Sequence, residues 1–492
     1  MSEQPLLIAH VIPQLSLGGA GRALISLAKH SHHSGSYNHS ILSLQQPDQQ
    51  ATNLAKSVGA EVLTPQKNRL FATLERADIV QFHFWNTPEL HSLLNADLPA
   101  MRSLVWLHVN GEHPPHHVTP NISEIADVLI ATDTSTLKNS SLGKGRIEFI
   151  LPSADADRLS TYERVDHSTF NIGYIGTLSF SKMHRDFVAM HAEIDIPSAR
   201  VMIFGKGPAE AILKRQVKQL GCDNRFEFRG HIENISEALS TIDVFGYPLS
   251  SDNYSTGELV LQESMQAGIP PVILPYGGAA NRVIHGETGI IAQDRRSYVN
   301  AIEFLFRNPD ERTRLGANAR DYARRQFDAK TMAKEFNGIY GELMRKPKHF
   351  PLRRENSTAE NTDGALLFLS SLGEIGADFR ATLDRQGSQI AVAAEEKIAG
   401  LSDSLFETLV KYRNYFPNDP SLRFWAGLML RFLGRPAMAA TELNQSIKLG
   451  TDHWRVYWHL SHAARESGSV TFAASAREQA KESARKVGIL LE

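Results

Sequence analysis

The stretch S-T-G-E-L-V-L-Q-E-S-M-Q-A-G-I-P-P-V-I-L-P, residues Ser255–Pro275, decides how the fold of this chain is organised. Apolar residues at helical spacing predict a helix over 259–265, and the apolar run at 271–274 predicts a buried strand. Ser255 precedes the helix, and Glu258 follows Ser255 by three residues, which is the spacing of a capping box. The stretch is therefore predicted to be a capped helix followed by a buried strand.

The start of this helix is a candidate anion site. A helix N-terminus exposes unpaired N–H groups and the positive end of the helix dipole, and both suit a diphosphate. Glu263 lies two turns further in, where a carboxylate accepts hydrogen bonds from the hydroxyls of a ribose. For the stretch alone, an ordinary surface helix with an exposed glutamate is the simpler explanation.

Length and composition indicate a globular protein of several domains. At 492 residues the chain is too long for one hydrophobic core, so we expect roughly two to four domains. The formal net charge of −2 argues against a general surface for nucleic acid or for anionic membranes.

The cysteine content and the hydrophobic pattern predict the compartment. Cys222 is the single cysteine, which excludes an intramolecular disulfide and favours a reducing environment. No apolar run approaches the ~18–20 residues that span a bilayer, and the N-terminus lacks the pattern of a secretion signal. We expect a cytoplasmic protein with at most peripheral membrane contact.

The first half of the chain opens with an apolar run over 6–12, the loop G-G-A-G at 18–21 and helical periodicity from Arg22. Strand, glycine turn and helix are the opening unit of a parallel α/β domain. Glycine permits close approach of the backbone to a ligand, and the helix that follows favours an anion. A tight turn without a ligand explains the loop equally well.

Further short apolar runs indicate a doubly wound sheet, and they occupy 78–84, 103–109, 126–131 and 147–151. Two of these runs end in loops that carry histidine, at His83 beside Trp85 and at His108. Ligands of such sheets bind beyond the carboxyl ends of the strands, so His108 is a candidate sugar contact or polar catalytic group. A structural hydrogen bond is the alternative for any single histidine.

Two patterns have the residue types of a metal site, but the sequence around each of them argues against metal binding. His113, His116 and His117 lie among prolines without cysteine or aspartate at ligand spacing, so a solvated loop is expected. The triplet at 155–157 has the D-x-D form of a metal site beside a nucleotide. It lies in the polar connection 151–165 instead of at the end of a strand.

The α/β pattern starts again at Phe170 with the strand F-N-I-G-Y-I-G, a loop over 177–182, and a second strand whose glycine turn contains Gly205. Further strands are predicted at R-F-E-F-R-G and over 242–247. Helical runs follow over 296–306 and 310–327. Two similar halves, each opening with a strand and a glycine loop, predict an α/β fold class of two facing Rossmann-like domains.

Beyond a polar linker the sequence is helical and repeats every 34 residues. Gly400, Gly434 and Gly468 keep this spacing, as do Ala439 and Ala473. A 34-residue period with small residues at the helix crossings is typical of tetratricopeptide (TPR) repeats. We predict an all-α, TPR-like domain that is either a groove for a protein partner or a cap that stabilises the rest of the chain or a dimer.

An ordered set of motifs runs through both halves: G-G-A-G, I-G followed by Lys182, G-K-G-P, F-R-G-H-I, I-D-V-F-G-Y-P, Q-E-S-M-Q-A-G-I-P-P-V and G-E-T-G. In this set the chain resembles the retaining glycosyltransferases of family 4, which have the GT-B fold. The resemblance covers roughly residues 5–344 and includes a last helix that crosses back to the first domain. We predict an acceptor-side Rossmann-like domain, a nucleotide-sugar-binding domain with the return helix, a linker and TPR-like repeats, over 1–165, 166–344, 345–364 and 365–492.

The resemblance implies transfer of a sugar from a UDP- or GDP-sugar with retained anomeric configuration, without a metal. Lys182 would neutralise the leaving phosphates, Glu263 would bind the ribose hydroxyls, and His108 would lie near the donor sugar. The implied catalytic residues are His108, Lys182 and Glu263. The implied donor-binding residues are Gly18, Gly19, Thr177, Lys182, Gly205, Ser255, Thr256, Gly257 and Glu263. The acceptor would be a glycan, a lipid-linked molecule or a protein.

The chain departs from the family at two positions. Ser255 stands eight residues before Glu263, where the family usually has a glutamate that contacts the donor sugar, so sugar recognition is expected to have moved elsewhere. Thr177 stands where the family usually has an arginine. The cations considered as substitutes are Arg185, Lys206 and Arg282.

These departures leave two other hypotheses open. In the first, a catalytically silent GT-B pair is a scaffold for the helical repeats and binds no nucleotide sugar. In the second, a GT-B sugar-nucleotide epimerase interconverts a donor without any acceptor. Lys182, Glu263 and the glycine loop favour the transferase.

Overall fold

The computed structural model describes residues 4–32, 35–111, 114–138, 142, 145–153, 155–351, 363–384 and 388–491. The chain divides into two compact units. Unit 1 comprises Met1–Trp85, Pro99–His113 and Pro120–Leu352, and unit 2 comprises Asn86–Leu98, Pro114–Thr119 and Arg353–Glu492. Two segments that the sequence analysis assigned to the N-terminal domain, 86–98 and 114–119, therefore belong to the same compact unit as the C-terminal helices. The predicted segment boundaries stay predictions, and most of the predicted linker lies outside the described residues.

The first half of unit 1 is built on a parallel sheet with the strand order β3-β2-β1-β4-β5-β6-β7. Its strands are β1 Leu6–Ile12, β2 Tyr37–Ser43, β3 Glu61–Leu63, β4 Ile79–Phe84, β5 Ser103–Leu107, β6 Val128–Ala131 and β7 Ile147–Phe149. Its helices are α1 Gly19–His32, α2 Gln49–Ser57, α3 Lys67–Arg76 and α5 Pro120–Ile125, whereas α4 Pro88–Leu94 belongs to unit 2. Strands β4 and β5 are buried along their whole length, as expected for a parallel sheet covered on both faces.

The second half of unit 1 repeats this plan with the strand order β10-β9-β8-β11-β12-β13. Its strands are β8 Phe170–Ile175, β9 Ala199–Phe204, β10 Phe226–Gly230, β11 Val244–Tyr247, β12 Pro271–Ile273 and β13 Ile290–Ile291. Its helices are α6 Phe187–Ala192, α7 Glu210–Gln219, α8 Ile235–Leu239, α9 Leu259–Gln266, α10 Arg295–Arg307, α11 Pro309–Gln326 and α12 Ala329–Leu343. The predicted fold class of two parallel, Rossmann-like sheets followed by an all-helical region is confirmed.

Each sheet has a switch point, where the strand order changes direction. In the first sheet this point lies between β1 and β4, and in the second sheet between β8 and β11. Ligands of doubly wound sheets bind beyond the carboxyl ends of the strands at such points. The glycine loop 18–21 follows β1, and Lys182 lies in the loop that follows β8, so both occupy switch points.

Helix α12 is the predicted helix that returns to the first half. It begins after Asp328, whose side chain caps it, and is separate from α11. Met332, Phe336 and Tyr340 of α12 are buried in one cluster with Trp106 of the first sheet. The apolar face of α12 therefore joins the end of the second half to the core of the first.

Unit 2 is helical in its described residues. Its helices are α4, α13 Gly364–Leu372, α14 Ala377–Ala381, α15 Gln389–Ala399, α16 Asp403–Tyr415, α17 Pro420–Phe432, α18 Pro436–Lys448, α19 Trp454–Glu466 and α20 Val470–Lys486. Helices α17 and α19 begin 34 residues apart, and so do α18 and α20. Across the described part of the chain, no helix combines the length and the apolar character needed to cross a bilayer.

The glycines that carry the 34-residue period have definite roles in these helices. Gly434 and Gly468 have positive φ angles of 68° and 87° and follow the C-cap residues of α17 and α19, where glycine turns the chain without strain. A Cβ on Gly427 would lie 2.6 Å from Cγ of Leu443, so glycine permits α17 and α18 to pack closely. The repeat in the sequence thus corresponds to a repeat of helix ends and helix crossings.

Asn86 is a buried polar centre of unit 2. Its Nδ2 donates to Oγ of Ser371 at 3.0 Å, and its Oδ1 accepts from Oη of Tyr412 at 2.8 Å. Its backbone N–H donates to Nδ1 of His116 at 3.1 Å. His116 is buried, so the predicted solvated loop is wrong at this residue, since other segments of unit 2 enclose it. His113 lies outside the described residues.

Candidate functional site

A buried charged cluster lies beyond the carboxyl ends of β8 and β11. Nζ of Lys182 lies 3.3 Å from Oε2 of Glu258. Oη of Tyr247 donates to the same carboxylate oxygen at 2.6 Å, and Oγ of Ser255 donates to Oε1 at 2.5 Å. The Glu258 side chain is fully buried, whereas 22% of the Lys182 side chain is exposed. A fully buried carboxylate therefore holds the ammonium group of a side chain that is only partly buried.

Glu258, like Tyr247, is a residue of this cluster that sequence analysis missed as a site residue. Burial by itself would raise the pKa of its carboxyl, but Lys182 and the hydroxyl donors Ser255 and Tyr247 hold the pKa below its usual value. Glu258 is the residue directly before α9, and its φ of 46° is in the left-handed region, which residues other than glycine rarely adopt. Such strain is found preferentially at functional sites.

The predicted capping box of Ser255 and Glu258 is wrong. The two side chains do meet, but Ser255 lies four residues before α9, and Glu258 makes no side-chain hydrogen bond to the helix. The carboxylate is turned toward Lys182 instead. Because Lys182 is distant in sequence, the local spacing gave no signal for this contact.

Glu258→Gln is expected to lower the free energy of unfolding at pH 7 by about 1–3 kcal/mol, since the charged hydrogen bonds are lost. The pKa of Glu258 is lower in the folded protein than in the unfolded chain, so its contribution is present at neutral pH and is lost as the pH falls through the folded value. The difference between wild type and variant should therefore shrink in acid. Urea denaturation at several pH values measures it.

Glu287→Gln, at an exposed glutamate, is the control for this measurement and should have little effect. A variant at Glu258 that is as stable as the control at pH 7 would contradict the assignment of Glu258 as the charged partner of Lys182.

The glycine loop, the start of α9 and the loop after β5 are brought together. A Cβ on Gly19 would lie 4.0 Å from Cδ1 of Leu259, so the loop lies against the first residue of α9. Val109 forms an isolated bridge with Ser255, which places the neighbouring His108 beside the same segment. Gly18 and Gly19 are exposed, and α1 begins at Gly19. The predicted anion site thus has backbone from both halves of unit 1.

Glu263, the predicted ribose ligand, is buried at 3% exposure and forms an ion pair with Arg158. Arg158 lies in the short 3-10 helix Ala156–Leu159, within the connection between the two sheets. Burial lowers the pKa of Arg158 to about 9, and the positive charge of Arg22 adds to this effect. Sequence analysis missed Arg158 because it lies in a polar connection, and the D-x-D triplet directly before it gives no signal for a contact with Glu263.

The backbone amides predicted to bind the diphosphate are partly engaged. The N–H of Ser255 donates to Oδ1 of Asn253 at 3.1 Å. Thr256 is fully buried, and its Oγ1 lies 2.5 Å from Oγ1 of Thr132. Gly257 is partly exposed, as is Ser255.

Thr177 and Gly205 lie in the loops that follow β8 and β9. Thr177 is exposed. Gly205 has a positive φ of 140°, and a Cβ there would lie 1.9 Å from the carbonyl oxygen of Gly176, so only glycine fits. This close packing of two strand ends explains the G-K-G-P turn without a ligand.

Arg282 is not available as a substitute cation. Its side chain is 2% exposed, Nη1 lies 3.3 Å from Oδ2 of Asp133, and Nη2 donates to the carbonyl oxygens of Thr132 and Thr256 at 2.6 and 2.9 Å. Through these buried contacts, Arg282 of the second half of unit 1 is bonded to Thr132 and Asp133 of the first half. Lys206 and Arg185 are exposed in the loops after β9 and β8.

The D-x-D triplet has a structural role. Nζ of Lys29 lies 2.7 Å from Oδ2 of Asp155 and 2.5 Å from Oδ2 of Asp157. The Asp155 side chain also accepts a hydrogen bond from the N–H of Asp157 at the start of the 3-10 helix. Among the described residues, no group of three His, Cys, Asp or Glu side chains is arranged to hold a metal ion.

Two parallel sheets with candidate ligand groups at their switch points define a GT-B fold. The family model described as "Glycosyl transferases group 1" matches residues 160–322, which contain Lys182, Glu258 and Glu263. The crystal structure of Anabaena Alr3699/HepE in complex with UDP-glucose has a similar fold. The similarity has a TM-score of 0.59 and 18% identity and covers 68% of this chain and 100% of that chain.

Two curated relatives match parts of the chain. The N-acetyl-alpha-D-glucosaminyl L-malate synthase of Bacillus anthracis is 27% identical over 165 residues, which are 33% of this chain and 42% of that protein. The D-inositol 3-phosphate glycosyltransferase of Stackebrandtia nassauensis is 24% identical over 308 residues, which are 55% of this chain and 66% of that protein. The chain thus spans between two fifths and two thirds of these relatives.

Proposed function

We propose that the protein is a glycosyltransferase that moves a sugar from a nucleotide-sugar donor to an acceptor with retained anomeric configuration. The observation that carries this proposal is the Lys182 ammonium group, held by the buried Glu258 carboxylate at the switch point of the second sheet. It lies within the residues that match the glycosyl transferases group 1 model. A fixed positive charge of this kind stabilises the charge that develops on a leaving diphosphate.

The other candidate groups have separate tasks in this proposal. Glu263 accepts hydrogen bonds from the ribose hydroxyls, and Arg158 supplies its counter-charge in the free protein. The backbone of Gly19, at the start of α1, and the segment before α9 lie against the diphosphate. His108 faces the donor sugar. None of these tasks requires a metal.

The donor is proposed to be a UDP- or GDP-sugar. The structural neighbour described in complex with UDP-glucose supports testing UDP-sugars first. The acceptor class is a glycan, a lipid-linked molecule or a protein. A cytoplasmic location is part of the proposal and is supported by the single cysteine, Cys222.

The helix pairs of unit 2 are proposed to be TPR-like repeats that bind a protein partner. The 34-residue spacing of α17 and α19 and the matching glycine ends support this proposal. The silent-scaffold hypothesis shares this partner surface but requires a site that binds no nucleotide sugar. The match to the glycosyl transferases group 1 model and to a relative named as a glycosyltransferase favours an active enzyme over it.

A thermal-shift panel of UDP-, GDP- and ADP-sugars tests the proposal on the full-length protein. An increase in melting temperature with one donor class, followed by release of its nucleotide when acceptors are supplied, is the expected result. If no nucleotide or nucleotide sugar changes the melting temperature, the transferase proposal fails. Conversion of the donor sugar without any acceptor would support the epimerase instead.

Glu263→Gln is expected to weaken binding of the nucleotide by about ten- to a hundredfold, the effect of losing charged hydrogen bonds worth about 1.5–3 kcal/mol. Isothermal titration with the nucleoside diphosphate of the best donor measures it. In the single variant, Arg158 is left without its counter-charge. The double variant Glu263→Gln/Arg158→Met removes both charges of the buried pair, so a loss of affinity that both variants share reflects nucleotide binding and not the destabilising effect of an unpaired Arg158. Wild-type affinity in both variants would show that Glu263 does not bind the ribose.

A further inference from the structure

Four histidines form a continuous row across the first sheet. His39, His10 and His83 lie on the neighbouring strands β2, β1 and β4, and His108 follows β5 directly. Nδ1 of His39 lies 2.8 Å from Nε2 of His10. Nδ1 of His10 lies 3.2 Å from Nε2 of His83, and Nδ1 of His83 lies 2.9 Å from Nε2 of His108. Every contact therefore joins Nδ1 of one ring to Nε2 of the next.

The inner rings of this histidine row are buried and neutral. His10 and His83 have no exposed surface, and His39 is 3% exposed. Burial and the neighbouring histidines hold the pKa of His10 and His83 well below the usual value, and burial lowers the pKa of His108 to about 3. At pH 7 the rings of His10, His83 and His108 each carry one N–H donor and one acceptor nitrogen.

The geometry permits only two hydrogen-bond patterns along the row. If Nδ1–H of His83 donates to His108, then Nε2 of His83 has to accept from Nδ1–H of His10, and His10 in turn accepts from His39. If His108 donates from Nε2–H instead, His83 and His10 also donate from Nε2–H. His10, His83 and His108 therefore share one tautomer, because the hydrogen bond made by one ring nitrogen sets the role of the other.

We propose that His39, His10 and His83 are positioning residues that fix the tautomer and the orientation of His108. The row uses Nε2 of His108, so a ligand can bond only to Nδ1 of this ring. Nδ1 is a donor in one state of the row and an acceptor in the other. The row thereby determines which kind of ligand oxygen His108 recognises. This last step rests on the proposed function, in which His108 faces the donor sugar, whereas the shared tautomer does not.

NMR of the full-length protein with 15N-labelled histidine tests the shared tautomer at pH 7 without any ligand. The ring nitrogens of neutral histidine have distinct chemical shifts when protonated and when bare, so each tautomer is read directly. We expect His10, His83 and His108 to carry the proton on the same ring nitrogen. Opposite tautomers in neighbouring rings, or a protonated inner ring, would overturn the proposal.

His10→Phe tests whether the row acts on His108 at a distance. This variant removes the middle of the row without touching His108, and the 15N shifts of His108 are expected to move toward a mixture of both tautomers. His39→Phe, which removes only the end of the row, is the second variant in case the first does not fold. His191→Phe is the control, because His191 is a buried, neutral histidine of the second half.

Unchanged His108 shifts in both folded row variants would mean that the row is only structural. These measurements need no donor, so they stand or fall independently of the transferase proposal. Once a donor is known, His39→Phe should lower kcat/KM for it while leaving binding of the free nucleotide unchanged. An equal loss of nucleotide binding would instead indicate a general loss of structure.

Discussion

Lys182→Ala is expected to lower kcat for the nucleotide-sugar donor by about 100- to 1,000-fold, the range seen when one group that stabilises developing charge is removed. The physical reason is the position of Nζ, 3.3 Å from the buried carboxylate of Glu258, on a side chain that is still 22% exposed. No other described cation is held in this way at the switch point of the second sheet. Steady-state kinetics with the donor found in the thermal-shift panel measures the effect.

The alanine variant also leaves Glu258 buried without its counter-charge, so stability has to be followed together with activity. Lys182→Met keeps the apolar stem of the side chain and should lose the same activity with a smaller change in packing. Lys218→Ala, at an exposed lysine of α7, is the matched control and should behave as wild type. Equal activity of the Lys182 and Lys218 variants would remove Lys182 from the proposed mechanism.

Arg282→Met is expected to lower the free energy of unfolding by about 3–5 kcal/mol, because it leaves the buried Asp133 carboxylate without its ion-pair partner. Arg282 is also bonded to the carbonyl oxygens of Thr132 and Thr256. These contacts join the two halves of unit 1, so the loss should loosen the segment before α9 as well. Urea denaturation measures the stability.

The exposed pair of Arg314 and Glu311 provides the control for this variant. Arg314→Met should cost no more than about 1 kcal/mol, since surface ion pairs contribute little. The double variant Arg282→Met/Asp133→Asn should recover part of the loss, because no unpaired charge remains. If Arg282→Met is no more destabilising than Arg314→Met, the buried pair is not what joins the halves.

The fold could be predicted because it is encoded in local patterns. Apolar runs, glycine turns and helical spacing place β1, β8 and α9 where the structure has them, and the same holds for α10 and α11. The 34-residue spacing of Gly434 and Gly468 likewise reports real helix ends. Each of these signals lies within one element or between neighbours in the chain, so a single sequence contains them.

The contacts within the candidate site could not be predicted in the same way. The local sequence predicts a capping role for Glu258, because a glutamate three residues after a serine has the spacing of a capping box. Its partner Lys182, the pairing of Arg158 with Glu263 and the histidine row all join residues that are far apart in sequence. These residues come together only through the order of the strands in the sheets, and that order cannot be read from local patterns in a single sequence.

Unit 2 combines segments that lie far apart in the sequence, and this has a consequence for folding during synthesis. Asn86 is synthesised before Tyr412, which bonds to it and lies 326 residues later in the chain. At ~5–20 residues per second, the ribosome needs roughly 15–65 s to bridge this interval. During that time the buried face of α4, which includes Leu90 and Leu93, lacks the helices that complete its core. We therefore expect this apolar face to stay uncovered over this interval, and a chain that stops before α13 lacks the helices that cover it.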